Sequence, residues 1–138
     1  MLQNLCPHLL AIHALLLWVA LAAAVAAIFV ALSGWSGTKP ASANLLRFSI
    51  VFVIAMDIEF IIGLLLFFGT TPAARAALTS HAVLMFLAVI CAHVGEALSR
   101  KGSTDLMKYR GAAGAYTVSL LLMLSAMPWW QHLLRPGS

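Results

Sequence analysis

Four apolar stretches, each nearly free of charge, occupy residues 9–33, 48–68, 77–97 and 112–127 of this chain. A run of about 18 or more such residues is the length at which a helix spans the hydrocarbon core of a bilayer while satisfying its backbone polar groups internally. Together the four use up most of the 138 residues. What remains is too short for a soluble catalytic domain, which excludes nucleotide-binding folds, nucleic-acid modules and extramembrane enzymes. Composition agrees, because 63% of the residues are hydrophobic and 9% charged, whereas soluble domains are about a quarter charged. The expectation is an all-α integral membrane four-helix bundle. It forms one transmembrane domain over residues 1–138, with helices at about 9–33, 45–69, 72–99 and 111–127.

The net charge of +4 reports orientation. Lys39, Arg47, Arg100, Lys101, Lys108 and Arg110 fall in the first-to-second and third-to-fourth connections, and only Arg75 and Arg135 fall on the other side. Basic loops stay cytoplasmic, so both termini are expected outside, in the periplasm of a bacterial cell. This orienting role is preferred to nucleic-acid or lipid-specific recognition. Helix 1 reads as retained, since Met1 to His8 lacks a basic region and the apolar run is long for a secretory signal. Cys6 lies at the outer end of helix 1 and Cys91 deep in helix 3, so a disulfide between them would need the two ends of the bundle to meet.

The punctuation between spans is specific. Residues 33–44 are rich in Gly, Ser, Thr and Pro and form a linker, with Ser42 or Asn44 as N-cap of helix 2 and Trp35 at the inner interface. Gly69-Thr70-Thr71-Pro72 reads as a stop, a Thr cap and a Pro at the first helical position, which makes helices 2 and 3 a tight antiparallel hairpin. Residues 99–110 are expected as the one sizeable inner loop. Helix 4 is expected to end at Met127-Pro128, with Trp129 and Trp130 in the outer aromatic belt.

Six ionisable side chains fall within the spans: His13, Asp57, Glu59, His81, His93 and Glu96. Each costs about 2.5 to 3.5 kcal/mol at a helix centre if charged. At 1.5 Å per residue His81 lies about 13 Å along helix 3, in the outer half, and His13 enters from the same side on helix 1. Two imidazoles at one depth on different helices meet the requirement for axial ligation of a b-type haem. They serve equally as interhelical hydrogen-bonding contacts. The face of His13 continues as Leu17, Ala20, Ala24, Ala27 and Ala31, and that of His81 as Met85, Ala88, Ala92 and Gly95. Ala88 and Ala92 are therefore candidate small residues lining the site, although close helix packing leaves the same stripe.

Asp57 and Glu59 lie about 18 and 15 Å from the turn, near the depth of His81. One of them is expected to pair with His81 as a proton-linked or ligand-orienting carboxyl. Being two apart, they point about 200° from one another, so both cannot easily face one bundle centre, and the other is expected to be protonated, borderline or facing a partner subunit. Glu59 shares an edge with Gly63, which permits close approach of a neighbouring helix. His93 and Glu96 form a possible second metal site, while Glu96 with Arg100 is also a favourably ordered i, i+4 salt bridge. Cys6, His8 and His132 near the outer ends permit a copper site without supporting spacing.

The order of His13 with Trp18, Gly63-Leu64 closing helix 2, Ser80-His81 with Gly95 on helix 3, and Pro128-Trp129 after helix 4 resembles a family of small bacterial four-helix membrane proteins described as b-type-cytochrome-like. The likeness covers nearly the whole chain in short motifs. His13 and His81 fall on histidines of that pattern. Asp57 and Glu96 stand where it has two more, so the resemblance implies one haem b and not two. The resulting expectation is a multi-pass protein of the bacterial inner membrane that transfers electrons through a haem b between His13 and His81, in contact with lipid and with other membrane subunits or a second copy. The rival expectations are a non-catalytic accessory subunit of a respiratory or photosynthetic complex and a small proton or metal transporter using Asp57 and Glu59.

Overall fold

A computed structural model describes residues 2–127, with side chains from residue 7 onward. Pro128, Trp129, Trp130 and His132, and the Cys6 side chain, lie outside the described residues. The described chain is four helices: α1 (Leu2–Leu32), α2 (Ala43–Gly69), α3 (Pro72–Lys101) and α4 (Asp105–Ala126). Each later helix starts on a hydroxyl cap, since Ser42, Thr71 and Thr104 accept from the backbone N–H of Leu45, Ala74 and Met107. Such a cap satisfies one of the donors that a first helical turn leaves unpaired.

The Thr104 cap changes the reading of the inner loop. With Asp105 favourably placed in the positive first turn, α4 begins at residue 105 and not near 111. The polar stretch expected as a loop is helical except at residues 102–104. Three helices, α2, α3 and the Pro7–Leu32 part of α1, are long and apolar enough to cross a membrane. The fourth is less apolar than the reading by stretches implied. It carries Asp105, Lys108 and Arg110 at its start and turns Tyr109, Tyr116 and Ser119 into the bundle.

The helices stand in a ring: α1 packs on α2 and α4, and α3 packs on α2 and most extensively on α4. The first and third helices therefore oppose each other across the bundle. Much of the interior is small side chains, with Ala20, Ala24, Ala27 and Ala31 of α1, Ala88 and Ala92 of α3 and Ala112 and Ala113 of α4 buried alongside the larger Phe52, Met56, Tyr109, Tyr116 and Met123. Ser119 Oγ donates to the Ala88 carbonyl at 2.7 Å, and Tyr116 packs edge-on to Phe52 at 5.4 Å between ring centres. Many Leu, Ile, Val and Phe side chains point outward, as at Phe29, Val51, Ile61 and Phe86, while Leu45, Phe52, Val53 and Val89 are buried. Without a hydrophobic gain between helices in lipid, close approach through small residues is the favourable packing.

The linker 33–42 is tied down by one residue. The Tyr109 hydroxyl donates to the Pro40 carbonyl at 3.0 Å and accepts from Ser42 N–H at 3.2 Å. Its ring fills the space beside Gly34, where a Cβ would come within 2.3 Å of it. Among the described residues Gly37 makes the one left-handed turn, at φ +74°, a conformation glycine adopts without penalty. Arg110 Nε donates to the Trp35 carbonyl, and its guanidinium lies 5.3 Å from the Trp35 ring. Lys39, Arg47, Arg100, Lys101, Lys108 and Arg110 all gather at this end of the bundle. At the other end Arg75 Nη2 donates to the carbonyls of Phe68 and Thr70.

Candidate functional site

At the end opposite the basic residues, α1, α2 and α3 enclose a cavity of about 340 Å³. Its walls are Leu, Phe, Ala and Met, including Leu17, Phe60, Phe67 and Met85, with Met127 closing it from α4. Among the described residues three ionisable side chains reach it: His13, Glu59 and His81. An apolar cavity with a few convergent polar groups is the usual form of a small-molecule or cofactor site, and this volume lies at the lower end of the roughly 300 to 1,000 Å³ such sites occupy.

His13 of α1 and His81 of α3 meet there although their helices are diagonal. Their ring centres are 6.4 Å apart and the planes are nearly perpendicular, at 81°. Contact is possible because the small interior residues bring the helices close and because both side chains point along the bundle into one space. His13 sits over Gly63 of α2, where an added Cβ would stand 3.1 Å from its Cε1. The glycine is thus a seat for the imidazole. His81 Nδ1 lies 2.9 Å from the carbonyl oxygen of Ala126. A carbonyl only accepts, so Nδ1 carries the hydrogen and Nε2 of the neutral ring keeps its lone pair. Sequence reasoning missed this partner. Its signal was the end of α4 before Pro128, because the last carbonyls of a helix lack intrahelical donors.

Glu59 is the unusual group. Its side chain is 1% exposed and Oε1 is 3.2 Å from His13 Nδ1, yet the angle makes no hydrogen bond and both carboxyl oxygens and that nitrogen have no partner. A buried polar group without a partner is costly. Here the unmet capacity faces the cavity. The expected pairing with His81 is corrected: Glu59 lies on the α1 side of α2 and meets His13, while His81 reaches α4.

The other candidates are placed elsewhere. Asp57, about 200° around α2 from Glu59, points out of the bundle and its Oδ1 accepts from His93 Nε2 of α3 at 2.9 Å. Glu96 is paired with Arg100 one turn on. His93 and Glu96 are therefore each committed to a different partner. Among the described residues no group of three or more His, Cys, Asp or Glu side chains is placed to hold a metal ion. Ala88 and Ala92 are fully buried between α3 and its neighbours and do not line the cavity, whose small walls are Ala14 and Ala82. Cys91 is a free thiol on α3, and His8 is exposed near the start of α1.

The donor set fits bis-imidazole ligation of a metal. His13 and His81 would be the residues to hold a haem iron, through ring nitrogens, and their rings stand 6.4 Å apart in an edge-on contact. No family model, curated protein or solved structure matches this chain.

Proposed function

We propose that this chain is a multi-pass protein of the bacterial inner membrane, with both termini outside, that transfers electrons through one haem b held by His13 and His81. The observation that carries the reading is the pair of imidazoles, on opposite helices and 6.4 Å apart, at one apolar cavity. The outward Leu, Ile, Val and Phe side chains and the single basic end support the membrane placement. A bound haem b supplies one-electron chemistry at its iron, and the protein tunes it through ligands, hydrogen bonds and burial.

Each residue then has a task. The Ala126 carbonyl fixes the tautomer and orientation of His81, as partners of ligating histidines do elsewhere. Gly63 seats His13, and Glu59 is the carboxyl placed to take up or release a proton beside it. Leu17, Phe60 and Phe67 keep water away. A porphyrin would need more room than the cavity of about 340 Å³ gives as it stands.

A transporter would need both Asp57 and Glu59 along one path. They lie on opposite sides of α2, one outward and one buried, which favours electron transfer. The outward Asp57–His93 pair favours assembly with another membrane chain, as a subunit of a larger complex or with a second copy.

The test is a reduced-minus-oxidised spectrum of the detergent-purified protein with a haemochrome count. One haem b per chain is expected, lost on His13→Ala or on His81→Ala. A colourless protein expressed with ample haem would sink the reading.

A further inference from the structure

The hydrogen-bonded pair Asp57–His93 lies outside the bundle, on the α2–α3 face away from the cavity. Its side chains are 41% and 51% exposed, and they are surrounded by exposed Ile54, Ile61, Phe86 and Ile90. Asp57 is about 21 Å from the start of α2 and about 18 Å from its end at 1.5 Å per residue, so the pair sits at mid-span. Nothing in one chain needs it there. Polar groups at that depth face a bundle interior, a water-filled cavity or a protein partner, and not lipid.

The bond uses His93 Nε2 and Asp57 Oδ1, which leaves the second ring nitrogen and the second carboxyl oxygen able to bond outward. As an imidazolium–carboxylate ion pair the face offers one donor, the second ring N–H, and one acceptor, the second carboxyl oxygen, side by side. A copy related by a two-fold axis along the membrane normal brings its own pair to the same depth, with donor opposite acceptor, because such a rotation preserves depth and an isologous contact is self-complementary. An unrelated helix meets this requirement only if it carries a matched pair at the same level. We infer that the α2–α3 face is a homodimer interface, centred on a four-membered ring of hydrogen bonds made by Asp57 and His93 of two copies and flanked by Ile61 and Ile90. The inference rests on the membrane placement and not on the cavity's occupant.

Sedimentation equilibrium in bilayer nanodiscs and in density-matched detergent reads the mass directly. The wild-type chain of 14.7 kDa is expected at twice that mass. The double variant Asp57→Leu with His93→Leu is expected at the single mass, with unchanged far-ultraviolet circular dichroism. As a second route that does not disturb the pair, Ile61→Cys in a chain with Cys6→Ser and Cys91→Ser is expected to oxidise to a covalent dimer in vesicles. Val25→Cys, exposed on α1 across the bundle, is expected to stay single. A wild-type protein at single mass in nanodiscs, a dimer captured at Val25 and not at Ile61, or an Ile61 cross-link to a different polypeptide would each overturn the proposal. None of these readings involves a cofactor, and carbonate extraction of membranes checks the placement separately.

Discussion

Gly63 and Glu59 show how much one side chain decides at the cavity. The 3.1 Å between a Cβ at position 63 and His13 Cε1 leaves room for a methyl group only if the ring yields by a few tenths of an ångström. Gly63→Leu is therefore expected to displace His13 and remove the haem absorbance, while Glu59→Gln, which keeps the shape, is expected to retain it. A Gly63→Leu protein with undiminished haem would show that His13 is not a ligand. Gly95 and Gly114 offer a contrast in the core. A Cβ at Gly95 would stand 2.3 Å from the Tyr116 ring, whereas one at Gly114 meets nothing within 4 Å. Gly95→Ala is expected to destabilise by about 1 to 3 kcal/mol through overpacking. Gly114→Ala is expected to be neutral or to stabilise by up to about 1 kcal/mol through helix propensity. Thermal unfolding in one detergent compares the two, and equal melting temperatures would contradict the packing described.

At the scale of elements, much was legible because helix boundaries rest on local chemistry. Ser42, the Thr71-Pro72 start and the burial of Ala20, Ala24, Ala27 and Ala31 along one face all follow from capping and from a period of 3.6 residues. The start of α4 did not, because Asp105, Lys108 and Arg110 look like loop residues until the Thr104 cap and an interior-facing Tyr109 are considered together. The same stripe of alanines also has a different role from the one entertained. Ala88 and Ala92 are buried where helices approach and are not among the residues lining the cavity. Tyr109 is the joint between elements, so Tyr109→Phe is expected to lose about 1 kcal/mol for its hydrogen bond and to expose residues 33–42 to protease before the helices. A loop equally resistant in both proteins would remove Tyr109 from that role.

For the whole molecule, the expected consequence of collecting six basic side chains at one end is orientation. A reporter that works only in the periplasm, fused after Ser138, is expected to be active, and one that works only in the cytoplasm silent. The reverse result would overturn the topology. It would also place the cavity at the cytoplasmic side.

The sequence by itself determined the first three helical spans, the caps of the second and third and the inward alanine face of α1, since these depend on neighbours a few residues apart. It also showed that Asp57 and Glu59 could not both face the interior, because that is a property of one helix. Only the tertiary structure decided which partner each polar group takes: His13 with Glu59 over Gly63, His81 with the Ala126 carbonyl, and His93 with Asp57 on the outside. Those choices depend on how far each helix slides and turns against the next. A shift of one residue along a helix turns its side chains by about 100°, and a single sequence read by local spacing carries no ruler between helices.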